Sequence, residues 1–174
     1  DKSITFTAVD KKFDLGDKDE KISNTNFFSK ILEAKPNNLF HYNNIGYQTF
    51  FVSPLAVKML DDLNFDVLRL GNVNSKIRNV EPVLRNTDLL SFDLSSVRSS
   101  DLNANKYSSA NGFSAVEACK IMRYAGLSDK ITSLAICEYN QLLDLNGLTS
   151  QLISQMIWYF IEGFKSRKNE LNPN

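Results

Sequence analysis

The chain has 174 residues, with 20 lysines and arginines against 20 aspartates and glutamates, and a single histidine, His41. A formal charge of zero excludes a domain built to neutralise phosphates or an anionic membrane surface, so neither nucleic acid nor a membrane is expected as partner. At 43% hydrophobic and 11% aromatic residues the composition is globular, and at this length roughly 70% of the unfolded surface can be buried.

A strand is predicted over residues 4–9, then a helix over 25–34, a strand over 45–52, a helix over 54–63 and a strand over 65–70. A helix over 74–85, a strand over 87–92, a helix over 114–126, a strand over 131–137 and a last helix over about 149–167 complete the order. Ser53-Pro54 places a hydroxyl at a helix N-cap and a proline at the first helical position, where no N–H is missed. Pro82 removes a helical hydrogen bond and should shorten or kink the helix over 74–85. Ser114 and Glu117 form a capping box, and Gly126 stands where a left-handed C-terminal cap is expected. The charged stretch over 10–21 reads as a solvated loop.

Strands alternating with crossover-length helices imply an α/β fold of five βα units, a mainly parallel sheet covered on both faces, with the strand order left open. No repeat or Pro/Gly/Ser linker divides the chain, so one domain over 1–174 is expected. No stretch approaches the ~20 apolar residues of a membrane-spanning helix, and the start, DKSITFTAVDKK, lacks the apolar centre of a signal peptide. A cytoplasmic location is the expectation. The chain opens on Asp1 rather than Met and enters a strand at once, which points to a processed or truncated product. Cys119 and Cys137 show no framework or metal-type spacing and sit among apolar residues, which predicts reduced, buried thiols.

In open parallel sheets ligands bind beyond the carboxyl ends of the strands, and here those positions are acidic. Asp10 and Asp14 follow the first strand, Asp93 ends the fourth and Glu138 ends the fifth. Two readings stay open: each carboxylate caps a helix or faces water, or the four converge on one rim. Like charges held together raise one another's pKa unless a cation compensates, so a converged cluster calls for a hard metal ion, a lysine or a cationic substrate. His41 has no Cys or His neighbour and reads as a structural histidine. Phe50, Phe51, Trp158, Tyr159 and Phe160 follow strand and helix patterns and read as core or interface. No phosphate-loop motif occurs, and Ser91, Ser95 and Ser96 lack a histidine partner for triad chemistry.

Ser91-Phe-Asp93-Leu-Ser95, then Asn111-Gly-Phe-Ser-Ala-Val-Glu117, then Glu138-Tyr-Asn140 with Asp144 resemble the C-terminal half of the ureohydrolases, the arginases, agmatinases and formimidoylglutamases. Upstream, Asp10-Lys-Lys12-Phe-Asp14 falls where that family has DAHxD. Formimidoylglutamase-like members are the nearest in pattern. The resemblance covers nearly the whole chain and implies the arginase-like three-layer α-β-α fold, with the chain as the C-terminal part of a longer one. It also implies hydrolysis of a linear amidine or guanidino C–N bond by hydroxide held between two manganese ions. By position, Asp10, Asp14 and Asp93 match three metal ligands, and Glu138 matches the acid that takes the cationic end of the substrate.

The departures point the other way. Lys12 stands where the family has a ligating histidine, Ser95 where it has a second aspartate, and Arg98-Ser99 where it has Asp-Pro; a Gly-Gly-Asp-His segment has no counterpart. An ammonium at Lys12 repels divalent cations while compensating the nearby carboxylates. Three functions therefore remain: a manganese-dependent hydrolase, a non-catalytic binding member (a pseudoenzyme), and a structural subunit. The last would form homo-oligomers or larger complexes through the apolar stripe of the final helix.

Overall fold

The computed structural model describes residues 3–16 and 20–171. Its strands are β1 (Ile4–Val9), β2 (Leu39–Tyr47), β3 (Asp66–Arg69), β4 (Leu89–Asp93) and β5 (Ser133–Cys137). Its helices are α1 (Phe27–Glu33), α2 (Pro54–Asp62), α3 (Leu70–Ser75), α4 (Val80–Arg85), α5 (Ala115–Leu127) and α6 (Leu148–Leu171). All strand pairs are parallel, in the order β3-β2-β1-β4-β5. This is the expected α/β class, and it places β1, which Asp10 follows, beside β4, which ends on Asp93, in the middle of the sheet.

One face of the sheet is covered by α1 and α2, where Phe28 and Leu60 pack with Ala8, Phe13 and Tyr42. The rings of Phe28 and Tyr42 stack at 3.8 Å between centroids. The other face carries the larger core, in which Val9, Ile45, Leu90 and Phe92 of the strands meet α3 to α6. The three layers follow from the alternation of apolar residues in β4, where Leu90 and Phe92 are buried and their neighbours half-buried.

The main helix starts follow local chemistry. Ser53 caps α2 through Ala56 N–H at 3.1 Å, with Pro54 as the first helical residue. Ser114 and Glu117 form the expected box on α5. Several expectations are corrected. The helix over 74–85 is broken into α3, a 3-10 turn at Ile77–Asn79, and α4. Pro82 is the third residue of α4, within the first turn, where its missing N–H has no intrahelical partner to lose.

β2 starts six residues before the predicted strand and ends at Tyr47 instead of running to 52. Asn43 and Asn44 break the apolar pattern yet are buried, because Asn43 Nδ2 donates to Thr7 Oγ1 (2.9 Å) and Asn44 Nδ2 to the Lys12 carbonyl (2.8 Å). Beyond Tyr47 the chain turns, with Phe51 N–H donating to the Gln48 carbonyl.

Gly126 is not a left-handed cap. It lies inside α5 at its crossing with α6, where an added Cβ would stand 2.1 Å from the Phe160 carbonyl oxygen; across the crossing a Cβ on Gly163 would stand 2.2 Å from that of Arg123. The positive-φ glycines are Gly46 and Gly147.

Cys119 is buried and Cys137 exposed, both free thiols, so the expectation of two buried thiols holds for the first alone. Among the described residues β5 is paired only with β4, and one face of it is open, with Ser133, Ala135 and Cys137 exposed. The stretch after β1 is not a solvated loop at its start, because Asp10, Lys11, Phe13 and Asp14 are all buried; Asp17, Lys18 and Asp19 lie outside the described residues. Phe50 and Trp158 are exposed at 89% and 67% rather than packed in the core. Among the described residues no helix is long and apolar enough to cross a membrane.

Candidate functional site

β1 ends between two parallel neighbours, and its next residue is held by the sheet: Asp10 N–H donates to the Ile45 carbonyl at 3.1 Å. The Asp10 carboxylate accepts the Lys12 N–H at 3.0 Å, closing a tight turn. Asp14 then takes a left-handed backbone conformation (φ 49), which short polar residues tolerate better than most. The turn brings Asp10 and Asp14 together, both almost fully buried.

On the adjacent strand Asp93 accepts Ser95 N–H at 2.6 Å, and its carbonyl takes the Ser96 hydroxyl. Beyond β5, Glu138 also has a positive φ of 66. Its carbonyl accepts Asn105 Nδ2, and its carboxylate accepts Asn24 Nδ2, each at 2.8 Å. Asp10, Asp14, Asp93 and Glu138 share one pocket, with Lys12, Ser95 and Tyr107 on its wall. The carboxylates therefore converge on a single rim. The enclosed volume of about 20 Å³ has room for about one water.

Crowding of four acids has the expected electrostatic result. Burial, then the charges of Asp93 and Asp14, push Asp10 well above the usual carboxylate range. Burial raises Asp14 to about 6, against a hydrogen bond from Asp10 that pulls it back. Burial also raises Asp93, opposed by its Ser95 hydrogen bonds.

Two lysines supply counter-charge. Lys12 Nζ lies 5.8 Å from the Tyr107 ring centre, on the pocket wall, and draws the Asp14 pKa down. Lys11, only 2% exposed, turns inward, donates to the Tyr107 carbonyl and lies 4.8 Å over the Phe51 ring. Burial, followed by the charge of Lys12, lowers its pKa, while Asp93, Asp10 and Glu138 hold it up.

Sequence reasoning singled out Lys12 and missed Lys11, whose only signal is that it adjoins Asp10 at a strand end. It also missed Asn24, Asn105 and Tyr107, which no spacing connects to the acids. His41 pairs with Asp66 at 3.1 Å and sits opposite Thr5 near the start of β1, away from the rim.

Asp10, Asp14 and Asp93 are thus adjacent, with their carboxylates already engaged within the protein. Among the described residues no group of three His, Cys, Asp or Glu side chains is arranged to hold a metal ion. Asp10 and Asp14 bind each other, Asp93 is turned onto Ser95 N–H, and an ammonium stands on the wall.

No protein-family model matches the chain, and a search of curated proteins returns no match. Solved structures do match. The formiminoglutamase of Trypanosoma cruzi with Mn2+2 superposes with a TM-score of 0.84 at 22% identity, over 95% of this chain and 58% of that one. The formimidoylglutamase of Bacillus subtilis subsp. subtilis str. 168 gives 0.81 at 16% identity, over 99% and 55%. The arginase of Bacillus caldovelox gives 0.74 at 15%, over 90% and 60%. The chain has the ureohydrolase fold. Within it the structural likeness is to formimidoylglutamases and arginase alike, and the chain spans less than two thirds of the length of each.

Proposed function

We propose that the chain is a formimidoylglutamase-like ureohydrolase domain that binds the cationic end of a linear amidine or guanidino compound, with an eroded metal site that leaves hydrolysis weak or absent. The observation that carries this reading is the ammonium of Lys12 on the wall of a pocket shared by four carboxylates. Manganese, when bound between such carboxylates, supplies an activated hydroxide; here Lys11 and Lys12 offset part of the negative charge instead. Four acids against two lysines leave an excess of negative charge. A planar cation that hydrogen-bonds carboxylates in pairs suits that excess; the pocket itself admits only about one water, so half-buried Glu138, held by Asn24 and Asn105, is the acid that would meet the cation from the solvent side.

The test has two parts. Elemental analysis after dialysis against manganese, beside an Asp93→Ala control, should show no metal above the control. Calorimetric titration with agmatine should show binding that Glu138→Gln weakens. Stoichiometric manganese lost in the control would restore the hydrolase reading, and no agmatine binding would remove the ligand assignment. A structural-subunit reading draws on α6, whose Trp158 and Ile161 are exposed. Self-association on size-exclusion chromatography, abolished by Trp158→Glu, would favour it.

A further inference from the structure

The carboxyl ends of β2 and β3 frame a second, larger pocket of about 340 Å³ on the same edge of the sheet, within the size range of small-molecule sites. Its chemistry is opposite to that of the acid rim. No aspartate or glutamate lines it, and its one charged side chain is Arg69, which ends β3. Among the described residues the side chains of Arg69, Asn72 and Asn74 make no hydrogen bond or ion pair, so these donors are uncommitted. The floor is fixed by a reciprocal contact: Gln48, 7% exposed, donates Nε2 to the Asn111 carbonyl (3.2 Å) and accepts Asn111 Nδ2 (3.3 Å). Phe50 stands at the wall with 89% of its surface exposed, supported edge-on by Phe51 at 5.0 Å.

A guanidinium with free amides beside it recognises an oxyanion, since its planar fork matches a carboxylate. An exposed aromatic at the same mouth is left with apolar surface that a flat body would cover. We propose that this pocket binds a small organic carboxylate with a planar apolar body, the carboxylate on Arg69 and the body against Phe50. The site is separate from the acid rim and does not depend on what that rim binds.

Benzoate, benzamide and inorganic phosphate, titrated calorimetrically into the full chain, distinguish the contributions. Benzoate should bind saturably, and benzamide and phosphate each at least about tenfold more weakly, one lacking the charge and the other the ring. Arg69→Gln should bring benzoate down to the level of benzamide. Phe50→Ala should weaken benzoate and leave phosphate unchanged, while Asp93→Ala should leave benzoate binding intact. Arg69 is exposed, so an unchanged melting temperature will show that Arg69→Gln remains folded. Absence of saturable benzoate binding, insensitivity to Arg69→Gln, or phosphate binding as tightly as benzoate would each overturn the proposal.

Discussion

Replacing Gly126 with alanine tests the packing that holds the largest helix pair together. In an isolated helix interior the change is favourable by about 1 kcal/mol, because alanine has less backbone freedom to lose. In this fold the new Cβ would lie 2.1 Å from the Phe160 carbonyl oxygen and 2.9 Å from Phe164 N, against an ordinary contact that begins at 3.4 Å. Both obstacles are backbone, so no rotamer change relieves them and α6 must move off α5 by about an ångström. Overpacking of that kind costs about 1–3 kcal/mol, and a rigid pair of helices belongs at the upper end. The net expectation is a loss of about 2 kcal/mol, equivalent to about 4–8 °C in melting temperature at this size. Gly71→Ala is the internal control. No atom lies within 4 Å of its added Cβ and its φ is not positive, so the same substitution should stabilise by about 0.5 kcal/mol. Denaturant unfolding of both variants gives the two signs. A Gly126→Ala protein as stable as the parent would refute the close crossing of α5 and α6.

Asp14 has a folded pKa of about 6 against 3.8, so the folded state holds its proton more tightly than the unfolded chain. Its contribution to stability is complete below pH 3.8 and lost as pH rises through 6. Asp14→Asn should therefore gain on the parent across that window, by up to about 3 kcal/mol at pH 7; equal stability at pH 4 and pH 7 would contradict it. Lys12→Met should lower stability by about 1–2 kcal/mol at pH 7.5 and less at pH 4, where Asp10 and Asp14, both raised by burial, are protonated, and an unchanged melting temperature at both would remove its role as counter-charge. Phe28→Ala should cost about 3–5 kcal/mol, because the ring is fully buried and stacked on Tyr42; a smaller loss on denaturant unfolding would mean that α1 packs loosely on the sheet.

Much of the fold could be read locally. β1, the start of α2 and the capping box of α5 lie where apolar period, proline and serine place them, because each depends on residues within one turn of the chain. The reading failed where a distant partner overrode local pattern. Asn43 and Asn44 look like loop residues until Thr7 and the Lys12 carbonyl accept their amide N–H groups, and Gly126 looks like a cap until α6 lies across it. At the site, the four carboxylates were visible because each follows a strand, and strand ends share one edge of a parallel sheet. Lys11 was not, since nothing in its neighbours' chemistry says that its side chain turns inward.

The sequence by itself determined the order of strands and helices, the positions of the acids relative to them, and the presence of Lys12 and Ser95 beside those acids. Tertiary structure alone decided the strand order, the burial of Asp10 and Asp14 side by side, the hold of Asn24 on Glu138 across 114 residues, and the pocket around Arg69. Periodicity and capping are encoded over a few residues, where backbone geometry couples neighbours directly. Contacts across the sheet depend on which faces can be buried together, a property of the whole packed chain rather than of any segment.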